Sequence, residues 1–553
     1  MTAKILWWPV ILLAAAPAFA QVVIPPSADP GAMQQRQIDE DRRRREDERE
    51  QRGPVVEPLK RPTQAEPAVQ PGQESIRFFV REIRFSDSKI LSAEELSALA
   101  SEYQGRESSL AELQKLASRV NELYRKKGVV TAQAVIPPQD VSNGVIRVRL
   151  VEGRLGKIKI NGNESTNESY IVDRLVLKPS DLMDIGGLET ALVRFNRTND
   201  VQLQAELKPG ETFATTDLAL VAKEPVRQEL RLTLDTLGAT ATGKERAGLA
   251  YQNRSLLGFR DDLGFSYTQS LGLDSVSGIY AFPVNTWGGR LNLGYYKDKT
   301  AIKNGALASL RITGESVAQI VSFRQPAFVD SSMQVDVVVG GKTRRTTNWI
   351  DSVLLTRTDS SDNNLGVEAQ IFGQQSHWFA SYVRSFGHFE TTDRQSFVID
   401  RASLRHSRDL GHGFSFRGNL TWQATSKVLL PSSEQFFIGG DSSVRGYPVG
   451  VFAGDTGQLI NLELHHPLVP ASAATNNVGA TGFFFVDYGR VKPFRAPNST
   501  LSKNEDLTGV GWGVHANLGK HAYSRLVFGY GLDRPPNQPG SYEVTFQLIA
   551  TAF

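Results

Sequence analysis

A chain of 553 residues has room for several domains, and its net charge of +3, with acids and bases mixed throughout, gives no basic face for nucleic acid. It has no cysteine, which excludes disulfides, thiol nucleophiles and sulfur-ligated zinc and suits an oxidising envelope compartment. Hydrophobic residues make up 40% of the chain, and beyond the N-terminus no apolar run approaches the ~18 residues a membrane helix needs, so a helical membrane protein is excluded while a β-barrel is not.

The first twenty residues read as a secretory signal: Lys4 is the charged start, 5–16 the apolar core, and Ala18-Phe19-Ala20 the cleavage site. Residues 31–52 then predict a helix with almost no apolar face, in which Glu40–Arg44, Asp41–Arg45, Arg42–Glu46, Arg43–Asp47 and Arg44–Glu48 stand at i,i+4. A helix polar all round does not pack on an ordinary core. It is either a solvated segment or, about 10–12 Å across, a plug for a charge-lined pore. Residues 53–75 form a proline-rich linker, with Pro54, Pro58, Pro62, Pro67 and Pro71 favouring extended chain that spans roughly 60 Å.

Two similar modules follow, 76–152 and 153–225. In the first, 78–85 reads as a strand, 93–101 and 109–127 as helices, and 129–136 and 145–151 as strands. The second repeats the order with a strand at 155–160, helices at 168–176 and 188–197, and strands at 201–207 and 216–221. A three-stranded sheet of this kind leaves an open edge where an extended peptide can add as a further strand.

From 227 to 553 the signal is alternation. Leu230, Leu232 and Leu234 alternate with Arg231, Thr233 and Asp235, and Phe414, Phe416, Leu420 and Trp422 with Ser415, Arg417, Thr421 and Gln423. One apolar and one polar face per strand, at roughly twenty residues per strand and turn, predicts a transmembrane antiparallel β-barrel of about sixteen strands. Phe553 falls on the opposite parity to Tyr542, Val544, Phe546 and Leu548, which weakens it as a lipid-facing terminal aromatic. Within the barrel a long loop, 436–455, carries Val444-Arg445-Gly446-Tyr447. The strand around Phe485, Asp487 and Gly489 turns those three residues to the lumen and Phe484, Val486 and Tyr488 to lipid. A lone lumenal carboxylate wants a cation, and Arg445 is the candidate.

No catalytic, metal or cofactor site is predicted. His465-His466 occupies a strand, where neighbours face opposite sides, and the glycines of 509–513 read as small inward residues rather than a phosphate loop.

Signal, charged helix, linker, two modules, barrel, VRGY loop and F-x-D-x-G strand together resemble the outer-membrane transporters of two-partner secretion, within the POTRA-plus-barrel superfamily. The resemblance spans essentially the whole mature chain. It implies residence in a bacterial outer membrane with the two modules, as POTRA domains, in the periplasm. There they would bind an unfolded exoprotein (an adhesin, haemolysin or contact-dependent toxin) by its N-terminal secretion domain. It further implies that the N-terminal helix plugs the pore at rest, that the Val444–Tyr447 loop folds back into the barrel, and that Arg445 pairs with Asp487. Membrane lipid and the barrel assembly machinery are the other implied partners. An outer-membrane assembly factor shares both motifs but usually carries more periplasmic modules and lacks the polar plug; a plain diffusion pore would not need the modules.

Overall fold

The computed structural model describes residues 24–50, 59–60, 77–127, 132–178, 181–182, 184–212, 215–425, 429–471, 477–493, 504–535 and 542–553. The expected signal peptide and most of the expected linker lie outside these residues.

Among the described residues, sixteen antiparallel strands close into a barrel, the first, Gln228–Asp235, pairing with the last, Tyr542–Ala552. Closure leaves no edge, so every strand can hydrogen-bond on both sides, as the hydrocarbon layer demands. The expected inversion of polarity holds strand by strand. Leu232, Leu293, Val337, Val367, Phe414, Trp422, Val486 and Trp512 face outward and stay exposed, whereas Asp298, Ser316, Asp336, Arg344, Asp362 and Gln423 are buried inside. Phe553 lies beyond the last strand, which accounts for its broken parity.

The lumen is threaded by helix α1, Pro30–Glu50. Its start is set locally: Asp29 Oδ1 accepts the Ala32 N–H at 3.0 Å, and Pro30 occupies the first helical position, where its missing N–H costs nothing. Its N-terminal end lies toward the outer mouth, where Ala28 packs with Ile302 and Ile312 of an extracellular loop and its flanking strand. Twenty-one residues rise about 31 Å, enough to cross the barrel. The charges do not close at i,i+4 as expected. The pairs seen within the helix, Arg42–Asp39 and Arg44–Asp41, are i,i+3, and the other end of the helix spends its charges on the wall.

The first periplasmic module carries helices α2, Ala93–Ser101, and α3, Leu110–Lys126, each opened by a capping box at Ser92 and Ser109. Leu113, Leu116, Val120 and Tyr124 of α3 fill its core. The run read as one strand at 78–85 is broken at Arg81. Arg77–Val80 pairs with Arg106–Ser109, an unforeseen strand, while Glu82–Phe85 runs parallel to Val145–Val151. The N–H groups of Arg81 and Glu82 both turn to the Gly144 carbonyl, at 2.7 and 3.1 Å, which makes the break.

The second module holds α4, Glu168–Leu175, and α5, Ile185–Thr198, over a sheet that is four-stranded rather than three. Part of the expected linker, Leu59–Lys60, supplies the extra strand. This module is bound to the barrel's periplasmic turns. The Asn167 N–H donates to the Gly258 carbonyl at 2.8 Å, Arg174 reaches the Asn285 carbonyl at 3.0 Å, and Arg260 pairs with Asp200. Burial at this junction pushes the Arg197 guanidinium on α5 down to about 10.

Candidate functional site

The loop between strands Phe414–Thr425 and Thr456–Val469 does not stand out from the barrel but folds into it. A short ribbon, Phe436–Ile438 against Phe452–Gly454, stiffens its base. Its inner face buries Ile438, Val444 and Tyr447 against Leu459, Val491 and Leu507 of the wall.

At the turn of this loop Arg445, 5% exposed, meets Asp487, which is fully buried. The contact is a fork: Nε donates to Oδ2 and Nη2 to Oδ1, both at 2.7 Å, and the Arg445 backbone N–H adds a third bond to Oδ2 at 3.0 Å. Asn461, opposite Asp487 in the strand register, donates Nδ2 to Oδ1 at 2.8 Å and to the Ser443 carbonyl at 2.7 Å. Charge-assisted, bidentate bonds of this kind define one geometry as well as adding energy.

Each residue of the barrel-wall motif has a separate task. The Phe485 ring lies 3.7 Å from the guanidinium carbon of Arg445, a cation–π contact on its open face. Asp487 supplies the charge. Gly489 supplies space, because a Cβ there would sit 2.7 Å from Val444 Cγ2 and 2.8 Å from Ile438 Cγ2. The neighbouring strands continue this trough of small residues. A Cβ at Gly509 would strike the Arg445 carbonyl, one at Gly529 would lie 2.5 Å from the Gly446 nitrogen, and one at Gly531 would enter the Tyr447 ring. Gly446 itself has φ +95°, a left-handed conformation that favours glycine. Tyr447 ends the motif with its hydroxyl donating to the Thr508 carbonyl at 2.9 Å and accepting the Asp533 N–H at 2.8 Å.

Two groups of residues escaped the sequence reading. Glu463 is a second carboxylate on Arg445 and holds His465 Nε2 at 2.9 Å on its other oxygen. Its signal was available: a charged residue in mid-strand, on the inward face shared with Asn461 and His465. His466, on the opposite face, packs against the Phe414 ring at a tilt of 50° instead.

The second group surrounds Glu434, 1% exposed, in a single turn at the loop base. Lys342 at 2.6 Å, Arg344 at 3.1 Å and Arg401 at 3.0 Å converge on its carboxylate. Arg344 also donates to Gln34 at 3.1 Å and to Gln35 at 2.7 Å, both on α1. One buried carboxylate thus gathers the loop, the wall and the plug.

At the periplasmic end α1 is held by Arg49–Glu368 at 3.1 Å, by Arg405 on Glu46 and Asp47, and by Glu50, which takes Ser407 at 2.7 Å and His377 at 3.1 Å. A cavity of about 660 Å³ runs beside the helix toward Thr198 and Asp200 of the second module, lined by charges of both signs. Among the described residues no cluster of His, Asp and Glu is arranged to hold a metal.

Residues 214–516 match the family model "Haemolysin secretion/activation protein ShlB/FhaC/HecB", and residues 78–153 match "POTRA domain, ShlB-type". The outer membrane transporter CdiB of Dickeya dadantii is 26% identical over 411 residues, 70% of this chain and 72% of that protein. The heme/hemopexin transporter protein HuxB of Haemophilus influenzae is 22% identical over 511 residues, 87% of this chain and 88% of that protein. The solved structure of CdiB from Escherichia coli superposes with a TM-score of 0.66 at 18% identity, covering 96% of this chain and 99% of that one, and so shares the fold.

Proposed function

The chain belongs to the haemolysin secretion/activation family of ShlB, FhaC and HecB, and on that premise we propose how its parts carry out export. It is an outer-membrane transporter of two-partner secretion, a family of transporters rather than enzymes, and its partner is a secreted exoprotein. The finer assignments are our own. A signal peptide at 1–20 directs the chain to the envelope, and the barrel assembly machinery inserts residues 227–553 into membrane lipid. POTRA modules at 76–152 and 153–225 take up the N-terminal secretion domain of an unfolded adhesin, haemolysin or toxin.

The observation that carries this reading is the occupied lumen. A general diffusion pore gains nothing from a 21-residue polar helix fastened at both ends, whereas a channel wide enough for a polypeptide must be closed when idle. The Val444–Tyr447 loop, clasped by Arg445 to Asp487, is the fixed inner scaffold against which helix and substrate exchange. Export then needs no nucleotide: binding at the modules gives direction, and folding outside the cell makes the passage irreversible.

The test is co-expression with the large secreted protein encoded beside the transporter gene, in a Gram-negative host that lacks both. The exoprotein should reach the medium or cell surface only when the transporter is present. Equal retention in the periplasm with and without it would refute the reading.

A further inference from the structure

A continuous line of contacts runs from the second POTRA module to the inner end of the plug. Arg197, in the last turn of α5, is 7% exposed and reaches out of the module to the barrel. Its guanidinium donates to the Asp330 and Ser331 carbonyls of one periplasmic turn. The guanidinium carbon also lies 3.9 Å from the ring centre of Phe372, at the foot of the strand Val353–Phe372. The two sites on the barrel are joined, since the Phe372 N–H donates to the Ser332 carbonyl at 2.7 Å.

Phe372 stands opposite His377 in the strand register, and their ring centres are 4.5 Å apart. His377 in turn stands opposite Ser407. These two hold the same oxygen of Glu50, the last residue of α1, at 3.1 and 2.7 Å. The His377 ring has no second polar anchor: its Nε2 is buried without a hydrogen-bond partner among the described residues. Packing against Phe372 therefore fixes where Nδ1 points, and Arg197 lies over Phe372. The end of α5 is equally firm on the module side, where Asn196 exchanges two hydrogen bonds with the Leu203 backbone, at 2.7 and 2.9 Å.

We propose that Arg197, Phe372 and His377 form a relay by which the second module latches the plug at Glu50. Arg197 is a positioning residue: it acts on the end of α1 only through the two rings. A shift of α5, as the module takes up a passenger chain, tilts Phe372, turns His377 Nδ1 away from Glu50 and frees the inner end of the helix. The outer end keeps its separate hold through Arg344 and Glu434. This proposal rests on the transport reading above and adds to it which side chains connect the module to the plug.

Single-channel recording of the full-length protein in planar bilayers, with no exoprotein added, tests the relay. Arg197→Ala should raise the open probability about 2- to 30-fold, the span expected for coupling through packed side chains. Glu50→Ala should raise it too, and the double variant should open no more than the more open single one, because both break one line. Arg174→Ala is the control: it removes another contact of the same module, to the Asn285 carbonyl, and should leave the currents at the wild-type level. Phe372→Leu, which removes the ring between Arg197 and His377, asks the same question from the barrel side should Arg197→Ala fail to fold. Wild-type currents in Arg197→Ala or Phe372→Leu, a double variant whose opening is the product of the singles, or equal opening by Arg174→Ala overturns the relay. A wild type that already stands open would instead overturn the plug on which the transport reading rests.

Discussion

Replacing Arg445 by alanine tests the centre of the molecule, and the structure fixes how large the effect should be. Asp487 accepts four hydrogen bonds: two from the guanidinium, one from the Arg445 backbone and one from Asn461. Removing one partner of a buried ion pair costs about 3–5 kcal/mol when the other charge is left uncompensated. Here the backbone N–H and Asn461 remain on Asp487, and His465 remains on Glu463, so the loss belongs at the lower end, about 3 kcal/mol. Asp487→Ala should cost a similar amount, since Arg445 then keeps Glu463 as its one carboxylate partner, beside the Phe485 ring. The double variant is the decisive one. If the two groups act as a unit it loses less than the sum of the singles, with a coupling of about 1–3 kcal/mol. Urea unfolding of the folded barrel in lipid vesicles measures all three, and heat-modifiable gel mobility checks that each variant is inserted. In parallel, Arg445→Ala should abolish secretion while leaving the barrel in the membrane. Additive losses, or normal secretion by Arg445→Ala, would refute the clasp.

Gly446→Ala should expel the loop, because its Cβ would sit 2.6 Å from the Tyr530 carbonyl carbon and 2.7 Å from the Gly531 nitrogen, backbone atoms that cannot step aside. Protease cleavage within 436–455 on intact cells reads this, and Gly105→Ala is the control, with a similar positive φ and nothing within 4 Å, costing only about 1–2 kcal/mol of backbone strain. Glu434→Gln should unseat the outer end of the plug by leaving Lys342, Arg344 and Arg401 without their common anion, raising the conductance and open time of single channels in planar bilayers. Arg405→Glu should loosen the inner end by opposing Glu46 and Asp47, with the same electrical signature; unchanged currents in both variants would mean the helix is held by something other than these charges.

How much of this was legible depended on whether a residue's task is local. Phe485, Asp487 and Gly489 could be read because strand alternation alone turns them inward, and a buried carboxylate states its own need for a cation. The sixteen strands followed from the same alternation. Glu434 gave no such sign. It sits in a Pro-Ser-Ser-Glu turn with no periodicity, and its three cations come from strands 33 to 92 residues earlier and are brought round only by barrel closure. The break at Arg81 was hidden because apolar residues continue across it, and its cause is a carbonyl at Gly144 far along the chain. Arg106–Ser109 is a short polar strand with no β signature. Leu59–Lys60 lies between prolines, which argue against a strand until the edge it completes is seen.

The charged helix brings these points together. Its composition gives it no apolar face to bury, so on its own it would be solvated. Inside the barrel its wall contacts exchange water for opposite charges and polar hydrogen-bond partners, and such exchanges are nearly balanced, because desolvation takes back most of what the contact returns. A plug held this way can be firmly placed yet cheaply released. An apolar plug would have to expose its buried surface to water on leaving, at roughly 25 cal/mol for each Å², and would resist expulsion. The motif loop is built on the opposite principle, with Val444 and Tyr447 sunk into an apolar trough and Arg445 locked by a fork. The part that must leave is polar, and the part that must stay is anchored by apolar burial and a double-bonded charge. Glu434 joins the two, since it belongs to the fixed loop yet shares its cation Arg344 with the plug's Gln34 and Gln35. A substrate chain that competes for Arg344 would therefore release the helix without disturbing the clasp.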